Sequence, residues 1–194
     1  MKCCGSRVVV EWAHVLCYDL VGKSFVAAKV LCVKRHPALI PLSHDHRQGL
    51  FLAQILRPGP PRYAGMPATP PAKRTYALSL ASELLEPHME AEETLLEPLV
   101  VGRDAEIDAL LARLRAEHIT LREQIHALHH VAAAELEAAL HAFGQALEAH
   151  IRTEERQLFQ RIQALADESL MEQIGERFAA YRRAVCLPRP PAEH

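Results

Sequence analysis

The stretch IDALLARLRAEHITLREQIHAL, residues 107–128, decides the fold class. Its positions Ile107, Leu111, Leu114, His118, Leu121, Ile125 and Leu128 advance in alternating steps of four and three. That is the period of a helix burying one stripe against other helices. Asp104, just upstream, suits the cap of its first turn. The stripe is apolar except at His118.

The same pattern recurs on both sides of this segment. Downstream, Leu136, Leu140, Phe143, Leu147, His150, Glu154 and Leu158 form a second stripe, and residues 168–183 a shorter fifth helix. Upstream lie a stripe of Ala81, Leu85, His88, Glu92, Leu95 and Leu99, closed by Gly102, and another of Leu39, Leu42, His46, Leu50, Ala53 and Leu56. Between these two, RPGPPRYAGMPATPPAKR (residues 57–74) carries prolines and glycines that oppose regular helix. Pro87 removes a backbone donor inside the Ala81–Leu99 stripe. Because the apolar spacing continues upstream of it through Leu78, Ala81 and Leu85, the expectation is one continuous, kinked helix. The fold class is therefore all-α, an up-down four-helix bundle with a short C-terminal helix.

The 194 residues suffice for one such domain, taken as residues 36–183, with 184–194 expected as a disordered tail. Residues 1–33 carry Val-rich runs without the bundle's spacing and read as an atypical N-terminal extension, with a natural start at Val33 as the preferred explanation. The apolar part of that extension is broken by Glu11, Asp19, Lys23 and Lys29, which argues against a membrane span or signal-peptide core. Lys and Arg number 22 against 24 Asp and Glu, so charge gives no reason to expect nucleic acid or an anionic membrane as partner. Five cysteines, with Cys3, Cys4, Cys17 and Cys32 clustered early and Cys186 alone, make no disulfide framework, and a reducing cytoplasm is the expected compartment.

Chemistry enters where the stripes are interrupted. Each of the four places one histidine at a core position: His46, His88, His118 and His150. Two add a glutamate one turn later, Glu92 and Glu154. A carboxylate facing a bundle core needs a strong partner, because its desolvation costs several kcal/mol. A metal supplies one: imidazole and carboxylate together suit iron, zinc and related ions, and two glutamates among four histidines can bridge a pair of ions. His44, two residues from His46, fits the stripe less well. Glu93 and Glu155 are expected to face away from the stripes and be solvated, Glu155 within reach of arginines, and His126, His129, His130 and His141 read as surface residues.

In order, SHDHRQGL, HMEAEETLLEPLV, EHITLREQI and HIRTEERQLF resemble the hemerythrin-like, or HHE cation-binding, domain. The resemblance implies a non-haem di-iron centre, with His46, His88, His118 and His150 as terminal ligands and Glu92 and Glu154 as bridges. Arg122 stands where the oxygen-carrying branch has a second imidazole on the third helix, which turns the expectation from reversible oxygen transport to sensing of, or reaction with, oxygen, nitric oxide, peroxide or iron status. The partner so implied is a small diatomic ligand or oxidant. No acid, base or nucleophile dedicated to turnover is visible, so a di-iron enzyme ranks behind a binding or sensing role, and a structural zinc or metal-free bundle is the further alternative.

Overall fold

A computed structural model describes residues 34–59 and 63–186. The expectations for residues 1–33 and for the tail beyond residue 186 fall outside them. After a short 3₁₀ turn at Pro37–Leu39, the chain forms α1 (Ile40–Ile55), α2 (residues 70–100), α3 (Ala105–Leu128), α4 (residues 136–165) and α5 (Glu168–Cys186). No strand occurs among the described residues. No helix there is long and apolar enough to cross a membrane.

The core falls into two apolar halves. One joins Leu52 and Leu56 near the end of α1, Ala77, Ala81 and Leu85 early in α2, Leu121, Ile125 and Leu128 late in α3, and Leu136, Leu140, Phe143 and Leu147 early in α4. The other joins Leu39 and Leu42 to Leu96, Leu99 and Val100, to Ile107, Leu111 and Leu114, and to Leu158, Phe159 and Ile162. Alternate ends of successive helices thus meet, which is the up-down arrangement. Leu170, Met171, Ile174 and Phe178 of α5 cover only the second half.

Local chemistry explains most helix ends. Asp104 accepts from the backbone N–H of Glu106 and Ile107, both at 3.1 Å, capping α3. Gly102, at φ +77°, turns the chain out of α2. The α2 start departs from the sequence expectation: the helix begins at Pro70, inside the proline-rich stretch, with the Thr69 hydroxyl accepting from Ala72 N–H. Prolines are tolerated there because first-turn N–H groups have no helical partner to lose. Helix α5 continues past Arg183 to Cys186.

Three wide π turns interrupt α2 and α4, at Ala81–Leu85, Glu92–Leu96 and Glu154–Leu158. They are closed by the N–H groups of Glu86, Glu97 and Phe159, each reaching a carbonyl five residues back. In α2 each π turn is followed by a proline, Pro87 and Pro98, whose rings oppose the normal four-residue geometry. The helix accordingly runs through Pro87 unbroken, as the apolar spacing required. The extra residue also moves the stripe: Leu96 is buried and Leu95 only half-buried, contrary to the expected register. In α1 the close approach of α4 buries Gly49 and Leu52, while Leu50 is half-buried instead of lying on the core stripe.

Candidate metal centre

Between the two apolar halves lies a layer of buried polar side chains. His46, His88, His118, His150, Glu92 and Glu154 all sit in it, with Glu154 only 1% exposed. The placement follows from helix periodicity, since a histidine and the glutamate four residues on share one face. The π turns that follow His88 and His150 begin at Glu92 and Glu154 themselves, so both carboxylates mark the point where their helices widen.

The imidazoles meet in two pairs. His46 Nε2 lies 2.9 Å from His88 Nε2, and His118 Nε2 lies 3.1 Å from His150 Nε2. Each glutamate turns one oxygen to each pair. Glu92 Oε1 is 3.4 Å from His88 and 3.8 Å from His46, while its Oε2 is 3.5 Å from His118. Glu154 Oε2 is 3.0 Å from His46, and its Oε1 is 3.2 Å from His150. Two overlapping ligand groups result, His46–His88–Glu92–Glu154 and Glu92–His118–His150–Glu154. Both contain both carboxylates.

The donor chemistry fits a pair of cations. Both oxygens of Glu92 and Oε2 of Glu154 are buried without a hydrogen-bond partner. Such atoms are costly in a core unless a cation takes them up. Pairs of Nε2 atoms aimed at each other likewise give lone pairs a common target when both rings are neutral.

Carboxylates around the layer hold the rings by their other nitrogen. Glu155 Oε1 is 2.7 Å from His46 Nδ1, Glu93 Oε1 is 2.8 Å from His118 Nδ1, and Glu117 Oε2 is 3.0 Å from His150 Nδ1. Asp45 Oδ2 is farther from His88 Nδ1, at 3.5 Å. This corrects the expectation that Glu93 and Glu155 are solvated. Glu155 also accepts from Arg35 and Ser43, and Glu93 from Arg122, so both are held in place. Asp45 and Glu117 escaped the sequence reading. The available signal was position: each of the four acids stands next to a ligand candidate, where a helix directs it toward the neighbouring helix.

These carboxylates set the proton affinity of the rings. Burial alone would depress His46, but Glu154 and Glu155 beside it outweigh burial and raise it to about 10. His150 is likewise raised to about 10 against burial, by Glu154 and Glu117. Burial opposes the charge of Glu154 and of Glu155; His150 and His46 nevertheless hold Glu154 well below the usual carboxylate range, and His46 with Ser43 brings Glu155 to about 2. The layer is built to surround positive charge, whether carried by protons or by metal.

The remaining sequence candidates lie elsewhere. His44 is exposed, so His46 alone represents α1 in the layer. His126, His129 and His130 are exposed, and His141 is half-buried on α4. Arg122 turns away from the ligands, its guanidinium bonded to Glu93 at 2.8 Å and Glu86 at 3.1 Å.

The family model described as "Hemerythrin HHE cation binding domain" matches residues 41–162, a span containing all six ligand candidates. No curated protein and no solved structure matches the chain.

Proposed function

The chain belongs to the hemerythrin HHE cation-binding family, and from that premise we propose that it carries a non-haem di-iron centre that senses or reacts with a small oxidant. His46 and His88 would hold one ion, His118 and His150 the other, and Glu92 and Glu154 both. The observation that supports this most directly is the pair of ligand groups sharing both glutamates. When bound, such an iron pair supplies exchange of electrons with oxygen, nitric oxide or peroxide.

The rest of the reading concerns what the side chains do. Each ion would receive two imidazoles and two carboxylate oxygens, which leaves coordination positions for an added ligand. Arg122, bonded to Glu93 and Glu86, supplies no further donor, which favours a reactive or sensing site over stable oxygen transport. A small enclosed space beside His46, His88 and His150 is walled by Leu85, Leu121, Phe143 and Leu147. It suits a small uncharged molecule, and the apolar wall keeps bulk water away. A cytoplasmic location, expected from the odd cysteine count, completes the proposal.

Metal analysis of protein purified without added metal, with its visible spectrum in air and after reduction, tests it. About two irons per chain and a band that bleaches on reduction are expected, both lost in Glu92→Ala and Glu154→Ala. A folded, colourless protein containing zinc or no metal overturns the di-iron reading.

A further inference from the structure

We infer that divalent cations reach the ligand layer through a carboxylate-lined cleft between α2 and α3, past the Glu97–Arg115 ion pair. This rests on the metal-site reading above and adds a route and its controlling residues.

The two sides of the layer differ in chemistry. On one, a cavity of about 20 Å³ is lined by Glu92, Glu93, Glu97, Glu154, Arg115 and His118, with four leucines between them. That volume admits about one water-sized body. The carboxylates lead inward: the side chains of Glu93 and Glu97 are partly exposed, Glu92 is 7% exposed and Glu154 1%. Both Glu92 oxygens lack a hydrogen-bond partner, so the cleft ends on free acceptors. At its mouth Arg115 Nη2 bonds Glu97 Oε1 at 2.5 Å, and Arg115 is 57% exposed.

On the opposite side the enclosed space is apolar, and the larger groove outside it, about 300 Å³, mixes Leu42, Leu84, Pro87 and Phe178 with Asp45, Glu83 and Arg182. Its one carboxylate beside a ligand, Asp45, is occupied by Arg182 at 3.1 Å to each oxygen. Tyr181 of α5 donates to the Pro87 carbonyl across the same groove. A cation entering there would meet Asp45 already paired with Arg182 and, further in, the apolar wall of Leu84, Leu85 and Met89 before any free carboxylate oxygen. Through the acidic cleft it would pass Glu97, paired with Arg115, and Glu93, paired with Arg122, and reach the unpartnered oxygens of Glu92. Arg115, the positive charge at that mouth, opposes arrival and also neutralises Glu97.

The test is the rate at which metal-free protein takes up Co²⁺ at low salt, followed by visible absorption in stopped flow. Neither Glu97 nor Arg115 is a proposed ligand, so final cobalt content should be unchanged. Arg115→Gln is expected to accelerate uptake about threefold or more and Glu97→Gln to slow it by a similar factor, both effects shrinking at high salt. Arg182→Gln, on the opposite groove, should leave the rate as it is. Uptake indifferent to residues 97 and 115, or sensitive to residue 182 instead, overturns the route while leaving the metal site standing. Failure of the wild-type chain to bind cobalt at all overturns the metal-site reading and the route with it.

Discussion

Glu155 of α4 holds His46 of α1 through a 2.7 Å contact between Oε1 and Nδ1. The relationship repeats around the bundle: Asp45 of α1 faces His88 of α2, Glu93 of α2 faces His118 of α3, and Glu117 of α3 faces His150 of α4. Three imidazoles are thus hydrogen-bonded by the preceding helix, while Asp45 faces His88 at 3.5 Å without a hydrogen bond, and the ring closes. A carboxylate at Nδ1 fixes the tautomer that leaves Nε2 free for an ion and makes it a better donor.

Glu155→Gln should accordingly weaken metal binding by about 10- to 100-fold, measured by competition with a chelator of known affinity. Asp45→Asn should cost less, because Asp45 stands 3.5 Å from its ring. Equal affinities for wild type and Glu155→Gln would remove the orienting role.

The metal-free chain should lose stability as the pH rises. His46 and His150 go from an ordinary histidine value of 6.5 when unfolded to about 10 when folded, under the fields of Glu154, Glu155, Glu117 and Glu92. Between those values the folded chain binds more protons than the unfolded one, so its stability is fully present below pH 6.5 and falls as the pH approaches 10. Thermal melts of chelator-treated protein between pH 6 and pH 10 would show a declining midpoint. In metal-loaded protein cations replace those protons, and the decline should be shallower. A flat profile for the metal-free chain would contradict the assigned proton affinities.

Much of this centre was legible in the sequence because helix periodicity is rigid: four histidines on four stripes, with Glu92 and Glu154 a turn beyond two of them, can face only inward. What escaped was set by neighbours. Glu93 and Glu155 point off their own stripes, and nothing local shows that another helix brings His118 or His46 to meet them. The burial of Leu96 in place of Leu95 depends on a π turn, which inserts a residue without any change in apolar spacing. Pro98 was the one local sign of that turn, and Glu154–Leu158 forms the same turn without a proline. The α2 start lies in a stretch whose prolines argue against helix interior, whereas Pro70 and Pro71 occupy the one turn that accepts them.

Lys73 is 2% exposed, and its Nζ donates to the carbonyls of Arg57 and Gly59, at 2.6 and 3.1 Å. It ties the start of α2 to the chain leaving α1. Lys73→Met keeps the length and removes both bonds, at a cost of about 2 kcal/mol, since hydrogen bonds from charged donors contribute more than neutral ones. Denaturant unfolding should show that loss while metal content stays at the wild-type level. A parallel loss of metal would mean that the α1–α2 connection also positions the ligands.

The α1–α4 contact sets the separation of His46 from Glu154 and depends on glycine. A Cβ at Gly144 would lie 3.2 Å from Leu56 Cβ and 3.3 Å from the Ala53 carbonyl oxygen, so the crowding falls on or next to the backbone of α1. A Cβ at Gly49 would lie 2.7 Å from Ile151 Cδ1, the tip of a side chain that can rotate. Both substitutions to alanine gain about the same helix propensity, roughly 1 kcal/mol, which cancels in the comparison. What remains is the cost of moving a helix against that of moving a methyl group, and overpacking of a rigid neighbour costs about 1–3 kcal/mol. Gly144→Ala should therefore be the more destabilising of the two, and it should release metal to a chelator faster, because spreading α1 from α4 draws His46 away from Glu154. Melting midpoints and chelator-release rates for the two variants decide the matter: equal values, or a greater effect at Gly49, would show that the α1–α4 spacing is not held by Gly144.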